Sequence, residues 1–454
     1  MPFQVVILAA GQGKRMNSDL PKVLHLLAGQ PLIAHVIATA RELAAGQICI
    51  VHGHGGDQVR QTLSAEDLVF ALQAPQLGTG HALQQALPRL TKAPVTLVLY
   101  GDVPLVRAET LRTLLEAAED GVAVLTAEME DPAGYGRILR NKSGRVTGIV
   151  EQKDATAAQR RICEINTGIM ALPTAKLKPW LSALKQNNSQ KEYYLTDVIA
   201  LAVKDRVPVF GIKVADPGEV QGVNSRTQLA ELERLYQWRQ AMKFLDAGVT
   251  LMDPQRFDLR GTMHCGRDVH IDVGCVFEGS VELADGASIG AHCVLKDVVI
   301  GNGTRIESFS HLDGAQIGAR CRIGPYARIR PGTRLAAEVH VGNFVEIKAS
   351  DISDGSKANH LAYVGDSTVG RNVNIGAGTI TCNYDGAHKH RTVIDDDVHI
   401  GSDVQLVAPV HVARGTTVGA GTTVWKDTPA GGLVINPKTQ EHLPGWKRPR
   451  KTKK

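Results

Sequence analysis

The chain has 454 residues, 43% of them hydrophobic and 21% charged, which is more than one hydrophobic core organises, so a soluble protein of at least two domains is expected. Its formal charge of +5 comes from one end: the last ten residues, GWKRPRKTKK, hold six Lys or Arg and no acid, leaving 45 basic against 46 acidic residues elsewhere. A near-neutral body speaks against a nucleic-acid face, and no apolar run is long enough for a membrane helix.

The start, MPFQVVILAAGQG, has no basic region before its short apolar run, so it reads as a buried strand, and a cytoplasmic location is expected. The seven cysteines are scattered without C-x-x-C spacing, which suggests neither a zinc site nor a disulfide framework. Val5–Leu8, Ile48–Val51, Val95–Tyr100 and Val122–Leu125 read as strands, and Pro31–Ala45 and Ala108–Glu119 as helices. Near-continuous apolar strands alternating with helices predict a mostly parallel sheet covered on both faces.

The first strand runs into Leu8-Ala9-Ala10-Gly11-Gln12-Gly13-Lys14-Arg15-Met16, and Pro21-Lys22 follows. Glycines at a strand-to-helix turn let backbone N–H groups and a helix N-terminus approach phosphate, and Arg15 and Lys22 add cations suited to a triphosphate. Met16 stands where a third Rossmann glycine belongs, and the Gly-Lys-Ser/Thr of a P-loop is absent. Tyr100-Gly101-Asp102 lies just past another strand. A lone carboxylate facing polyphosphate there is a natural Mg²⁺ ligand.

Asn224 or Ser225 can cap a long helix carrying Leu229, Leu232, Leu235, Trp238, Met242 and Leu245, which reads as a connector. Beyond residue 260 the period becomes six. Ile317, Ile323, Ile329, Leu335, Val341 and Ile347 are evenly spaced, as are Ile394, Ile400, Leu406, Val412, Val418 and Val424. A second row of small residues, Cys321, Ala327, Thr333, Val339 and Val345, lies four places on and is expected at the corners. Hexapeptide repeats mark a parallel β-helix. The register breaks between Ser350 and Gly365 and between Gly378 and Thr392, where binding loops are expected. These breaks hold Lys348 at one margin, with Asn359, His360, Tyr363, Asn383 and Tyr384 inside.

LAAGQGKRM, PKVLH, QLGTGHA, YGDVP, Gly134-Tyr135-Gly136-Arg137-Ile138, Glu151-Gln152-Lys153, Asn166-Thr167-Gly168 and Gly222-Val223-Asn224 occur in the order seen in sugar-nucleotide pyrophosphorylases. With the hexapeptide region behind them, nearly the whole chain resembles the bacterial bifunctional N-acetylglucosamine-1-phosphate uridyltransferase/glucosamine-1-phosphate N-acetyltransferase family. The resemblance implies an α/β Rossmann-like nucleotidyltransferase domain over 1–225, a linker helix over 226–247, and a left-handed parallel β-helix acetyltransferase domain over 248–454 with a basic tail. It also implies that Leu8, Ala9, Ala10, Gly11, Gln73, Gly78, Thr79, Tyr100 and Gly101 hold the uridine nucleotide, with Arg15 and Lys22 on its phosphates. Asp102 and Asn224 would ligate Mg²⁺, and Gly136, Glu151 and Asn166 would read the sugar.

In the second half the resemblance makes His360 the general base, an assignment suited to a neutral imidazole with a pKa of ~6.5. Arg330, Lys348, Tyr363 and Asn374 would bind the acceptor, and Ala377, Asn383, Tyr384, Ser402 and Ala420 the acetyl-CoA. Where the family has an Arg for the coenzyme phosphates this chain has Pro437, with Lys438 or the basic tail as substitutes. The family forms homotrimers acting on glucosamine 1-phosphate, N-acetylglucosamine 1-phosphate, UTP and acetyl-CoA. The alternative is a monofunctional sugar-1-phosphate nucleotidyltransferase with a structural β-helix. A catalytically dead regulatory subunit is disfavoured because Arg15, Lys22, Asp102 and Asn224 are all present.

Overall fold

The computed structural model describes residues 1–449, and contacts divide it into two compact units, one ending at Gln237 and the next beginning at Trp238. In the first unit the apolar runs form β1 (Phe3–Ala9), β2 (Ile48–His52), β3 (Leu68–Leu72), β4 (Val95–Tyr100) and β5 (Val122–Glu128). They are joined by β6 (Gly136–Arg140), β7 (Val146–Val150), β8 (Glu164–Pro173) and β9 (Val209–Lys213). The sheet order is β9-β5-β8-β4-β1-β2-β3, with β6 beside β8 and β7 beside β6.

Alternate residues of β1 enter different cores: Val5 and Ile7 pack on one face, Val6 and Leu8 on the other. Both faces are therefore buried, as a period-two strand between helical layers requires. β4, β1, β2 and β3 are parallel, but β8 runs antiparallel between β4 and β5. The two helices are slightly shorter than predicted, at Leu32–Glu42 and Ala108–Ala117.

The connector helix spans Arg226–Asp246. Ser225 caps it, its Oγ accepting from Gln228 N at 3.2 Å. The helix does not present a single apolar stripe. Leu232 packs with Met16, Leu27 and Leu32, Ala241 joins the second unit's core, and Trp238 is 41% exposed.

The second unit is a left-handed parallel β-helix of short strands. Ile329 pairs with Ile347, eighteen positions on, so three hexapeptides make one coil. All twelve residues of the two predicted aliphatic runs are buried inside. The small residues Cys321, Ala327, Thr333, Val339 and Val345 are buried as well, so they do not form exposed corners. At one corner the chain turns instead on left-handed residues that include bulky ones: His292, Phe309, Tyr326, Phe344, Leu361, Gly378, Asp403 and Gly421. Phe309, Tyr326 and Phe344 stack outside the coil, with centroids 5.0 and 5.3 Å apart. Ring stacking offsets the cost of a positive φ, which glycine otherwise removes.

The two register breaks differ. At the first, Ile347 pairs with Val364, seventeen positions on. This is a one-residue contraction with strands on both sides, and the expected loop is not there. At the second, Ile375 pairs with Ile400, twenty-five positions on, which leaves seven residues beyond a regular coil. They form a small outward hairpin closed by the Tyr384–Lys389 bridge.

Candidate functional site

Parallel strands end on one edge of the first unit's sheet, and the predicted nucleotide residues collect there. Leu8 pairs with Tyr100, and Gly101 N donates to Leu8 O at 3.0 Å, so Ala9–Gly11 and Gly101–Asp102 leave neighbouring strands together. Gln73 follows β3, and its amide donates to Gly78 O at 2.9 Å. Gly78 has φ +106, and a Cβ there would lie 2.7 Å from Tyr193 O, so only glycine lets the chain pass into the helix Thr79–Ala86.

The turn after β1 does not enter an α-helix. Lys14–Met16 is a single 3₁₀ turn whose Met16 is buried, so the positive potential here comes from side chains rather than a helix dipole. Gly13, at φ +62, leaves space that a Cβ would take 2.7 Å from Lys22 Cβ. Lys22 packs over it, pairs with Asp102, and donates to Asn224 Oδ1 at 3.1 Å. Asn224 is brought there because Val223 N donates to Asp102 O at 2.9 Å. Arg15, Tyr100, Asp102, Tyr135, Thr167 and Asn224 line a cavity of about 240 Å³.

The residues expected to read the sugar border the same edge. Gly136 pairs with Asn166 across β6 and β8, and Asn166 Oδ1 accepts from Gly168 N at 3.1 Å. Glu151 accepts from Thr196 Oγ1 at 3.0 Å. Burial pushes its carboxyl above the usual range against that hydrogen bond, and Asp197, Asp154 and Glu192 add to the rise. The Tyr100 phenol is likewise pushed up by burial and by the Glu151 and Asp102 carboxylates. Thr196 was missed in the sequence because it acts through a contact with Glu151, distant along the chain.

In the second unit, the residues that directly precede the left-handed corner positions form a column through successive coils: Asn343, His360, Ala377, Ser402 and Ala420. Backbone bonds link the coils at this corner, Leu361 N to Asn343 O at 3.1 Å, Asp403 N to Ala377 O at 2.7 Å and Gly421 N to Ser402 O at 2.8 Å. The base candidate and three candidate coenzyme residues thus share one edge. Below Leu361 the stacked aromatic ladder gives way to Gly378, Asp403 and Gly421, so the edge there carries short side chains.

A second cluster centres on Asp366. Lys348 Nζ reaches it at 3.3 Å, Asn383 Nδ2 donates to it, and Asn383 also approaches the Tyr363 hydroxyl at 3.4 Å. Arg330 pairs with Glu346 at 2.8 Å. Lys389, from the hairpin, sits beside Lys348, and that side-chain contact and the like charge lower its pKa. The sequence reading missed Lys389, although it lies inside the second break. Asn374 pairs with Lys357 and His399, on His360's sheet rather than beside Lys348. Tyr384 is exposed, and its hydroxyl donates to Gly386 O at 2.6 Å. Lys438 donates to Gly421 O at 2.9 Å, next to Ala420. The tail cations Arg450, Lys451, Lys453 and Lys454 lie outside the described residues.

Residues 5–191 match the MobA-like NTP transferase domain family, and residues 259–345 match the GMPPB C-terminal domain family. The chain is 60% identical to the bifunctional protein GlmU of Burkholderia multivorans, over 99% of this chain and 100% of the relative. It is 59% identical to that of Azoarcus sp., over 98% and 99% respectively. To that of Nitrosospira multiformis it is 58% identical, over 100% and 99%.

Proposed function

The chain belongs to the bifunctional GlmU family, and from that premise we propose which side chains run each of its two reactions. It is a transferase that acetylates glucosamine 1-phosphate with acetyl-CoA, then moves UMP from UTP onto N-acetylglucosamine 1-phosphate with release of pyrophosphate. The product, UDP-N-acetylglucosamine, feeds peptidoglycan and lipopolysaccharide precursor synthesis.

For uridylyl transfer, Leu8 to Gly11, Gln73, Gly78, Thr79, Tyr100 and Gly101 cradle the nucleotide, and Gly136, Glu151 and Asn166 accept the sugar. Asp102 and Asn224 offer one carboxylate and one amide oxygen, a hard-donor pair that fits Mg²⁺ completed by phosphate oxygens. When bound there, the ion neutralises developing phosphate charge. Lys22 and Arg15 hold the triphosphate so that the sugar phosphate oxygen attacks the α-phosphorus in line and pyrophosphate leaves. No protein nucleophile is needed. The protein's contribution is position and fixed positive charge.

For acetyl transfer, Arg330, Lys348 and Lys389 bind the acceptor phosphate, with Tyr363 and Asn374 on the sugar. His360 takes a proton from the amine as it attacks the thioester carbonyl and returns it to the departing sulfur, so the coenzyme leaves as its thiol and the imidazole is neutral again. Ala377, Ser402 and Ala420 leave room for the coenzyme's pantetheine arm, and Asn383 and Tyr384 also contact acetyl-CoA. Lys438, next to Ala420, supplies a cation where Pro437 cannot. The domain limits are 1–225, 226–247 and 248–454. The assembly is a homotrimer, working in the cytoplasm. No described helix is long and apolar enough to cross a membrane.

The observation that carries this reading is the column His360, Ala377, Ser402 and Ala420 on one β-helix edge, which a structural stalk does not require. The test is one assay with glucosamine 1-phosphate, acetyl-CoA, UTP and Mg²⁺, following thiol and pyrophosphate separately. Release of both is expected. Pyrophosphate only from pre-acetylated sugar phosphate, with no thiol, would make the β-helix structural.

A further inference from the structure

His360 carries the acetyl-transfer chemistry only if one ring nitrogen is free to accept a proton, and the structure places one side chain where it decides which. Asn343 and His360 are register partners in adjacent coils, and Asn343 Oδ1 lies 2.8 Å from His360 Nδ1. Resting on the reading of His360 as the base, we propose that Asn343 is a positioning residue that fixes the imidazole in its Nδ1–H tautomer and so directs the Nε2 lone pair at the acceptor amine.

An amide oxygen carries no proton and can only accept, so Nδ1 must donate. A neutral imidazole has one N–H, which leaves Nε2 as the sole ring position able to take a proton. The backbone keeps this arrangement in place. Gly342, next to Asn343, lies so close to the next coil that a Cβ there would overlap the Asn359 carbonyl. Leu361 N donates to Asn343 O at 3.1 Å, which ties the residue after His360 to the same partner. The two side chains thus rise from backbones already locked together, and the ring loses little freedom in forming the bond. The amide is also uncharged, so it orients the base without holding it as an imidazolium.

The experiment uses the full-length protein labelled with ¹⁵N-histidine, with the His360 signals among the 16 histidines assigned by difference against His360→Ala. The expected wild-type spectrum shows protonated Nδ1 and a pyridine-like Nε2 above the ring's titration. Asn343→Leu should mix the tautomers and lower kcat for acetyl transfer about 10- to 100-fold, with KM for glucosamine 1-phosphate little changed. Asn343→Asp, which keeps an acceptor oxygen, should restore the tautomer. Circular dichroism and the urea midpoint of the same samples report folding of the β-helix. A wild-type ring protonated on Nε2, as an inverted Asn343 amide would impose, overturns the proposal. So does an Asn343→Leu enzyme with unchanged kcat while His360→Ala is dead. If His360→Ala itself still acetylates, the base assignment falls first.

Discussion

The Lys22 ammonium donates to Asn224 Oδ1 at 3.1 Å, across 202 positions of chain, and pairs at the same time with Asp102. One cation therefore already sits between the two oxygens proposed for Mg²⁺. A divalent ion arriving there must displace the ammonium from the carboxylate, which frees Lys22 for a phosphate oxygen. Lys22→Met should then bind Mn²⁺ more tightly than wild type without nucleotide, read by electron paramagnetic resonance. Its uridylyl transfer should fall by about 100-fold or more, the scale of losing one preorganised charge. Unchanged Mn²⁺ affinity would mean that the ammonium does not compete for the seat.

The residues proposed for the two chemistries belong to separate units, so single substitutions should separate them. Asp102→Ala should abolish uridylyl transfer and leave acetylation intact, and His360→Ala should do the reverse. Parallel thiol and pyrophosphate assays on each folded variant check this. Loss of both activities in either one would refute independent sites.

Glu151 sets a pH dependence of known sign. Burial raises its carboxyl in the folded state, so the native protein holds this proton more tightly than the unfolded chain does. Ionised Glu151 therefore costs stability above the raised pKa, and the cost disappears as pH falls through it. If the proposed sugar site uses the carboxylate, kcat/KM for N-acetylglucosamine 1-phosphate should fall on acidification at a pH above the usual carboxyl range. Thr196→Val removes the hydrogen bond that opposes the rise and should move this acid limb to higher pH. A limb that stays in place would remove Glu151 from the sugar site.

Gly342 has no room for a methyl group against the Asn359 carbonyl. Gly342→Ala should cost about 2–4 kcal/mol, the range for forced backbone displacement in a packed region. Urea unfolding followed by circular dichroism would read the shift. Acetyl transfer should drop more than uridylyl transfer, because the displaced strands carry Asn343 and His360.

Burial raises the Cys293 thiol to about 12 and those of Cys275 and Cys49 to about 11, while Cys163 is exposed. Thiolate, the reactive form, is therefore scarce at the buried positions. Disulfide-exchange labelling near neutral pH, mapped by mass spectrometry, should modify Cys163 first and Cys275 and Cys293 only after unfolding. Early labelling of Cys293 would show that the β-helix interior opens.

Periodicity made both architectures legible. The apolar runs of the first half and the six-residue rows of the second each state which side of the backbone is buried, because burial is imposed at every repeat. A one-residue contraction and a seven-residue insertion look alike as breaks in a pattern. Only strand pairing distinguished the coil that keeps its strands near His360 from the one that extrudes Lys389.

The sequence by itself determined the fold class of each half, the family, and the chemical types at both candidate sites, since these depend on local spacing and on motifs contiguous in the chain. Tertiary structure decided the pairings: Lys22 with Asn224, Glu151 with Thr196, Lys389 with Lys348, and Asn343 with His360. Each joins residues from separate strands, coils or loops, and that proximity comes from sheet order and coil closure, which no local pattern encodes.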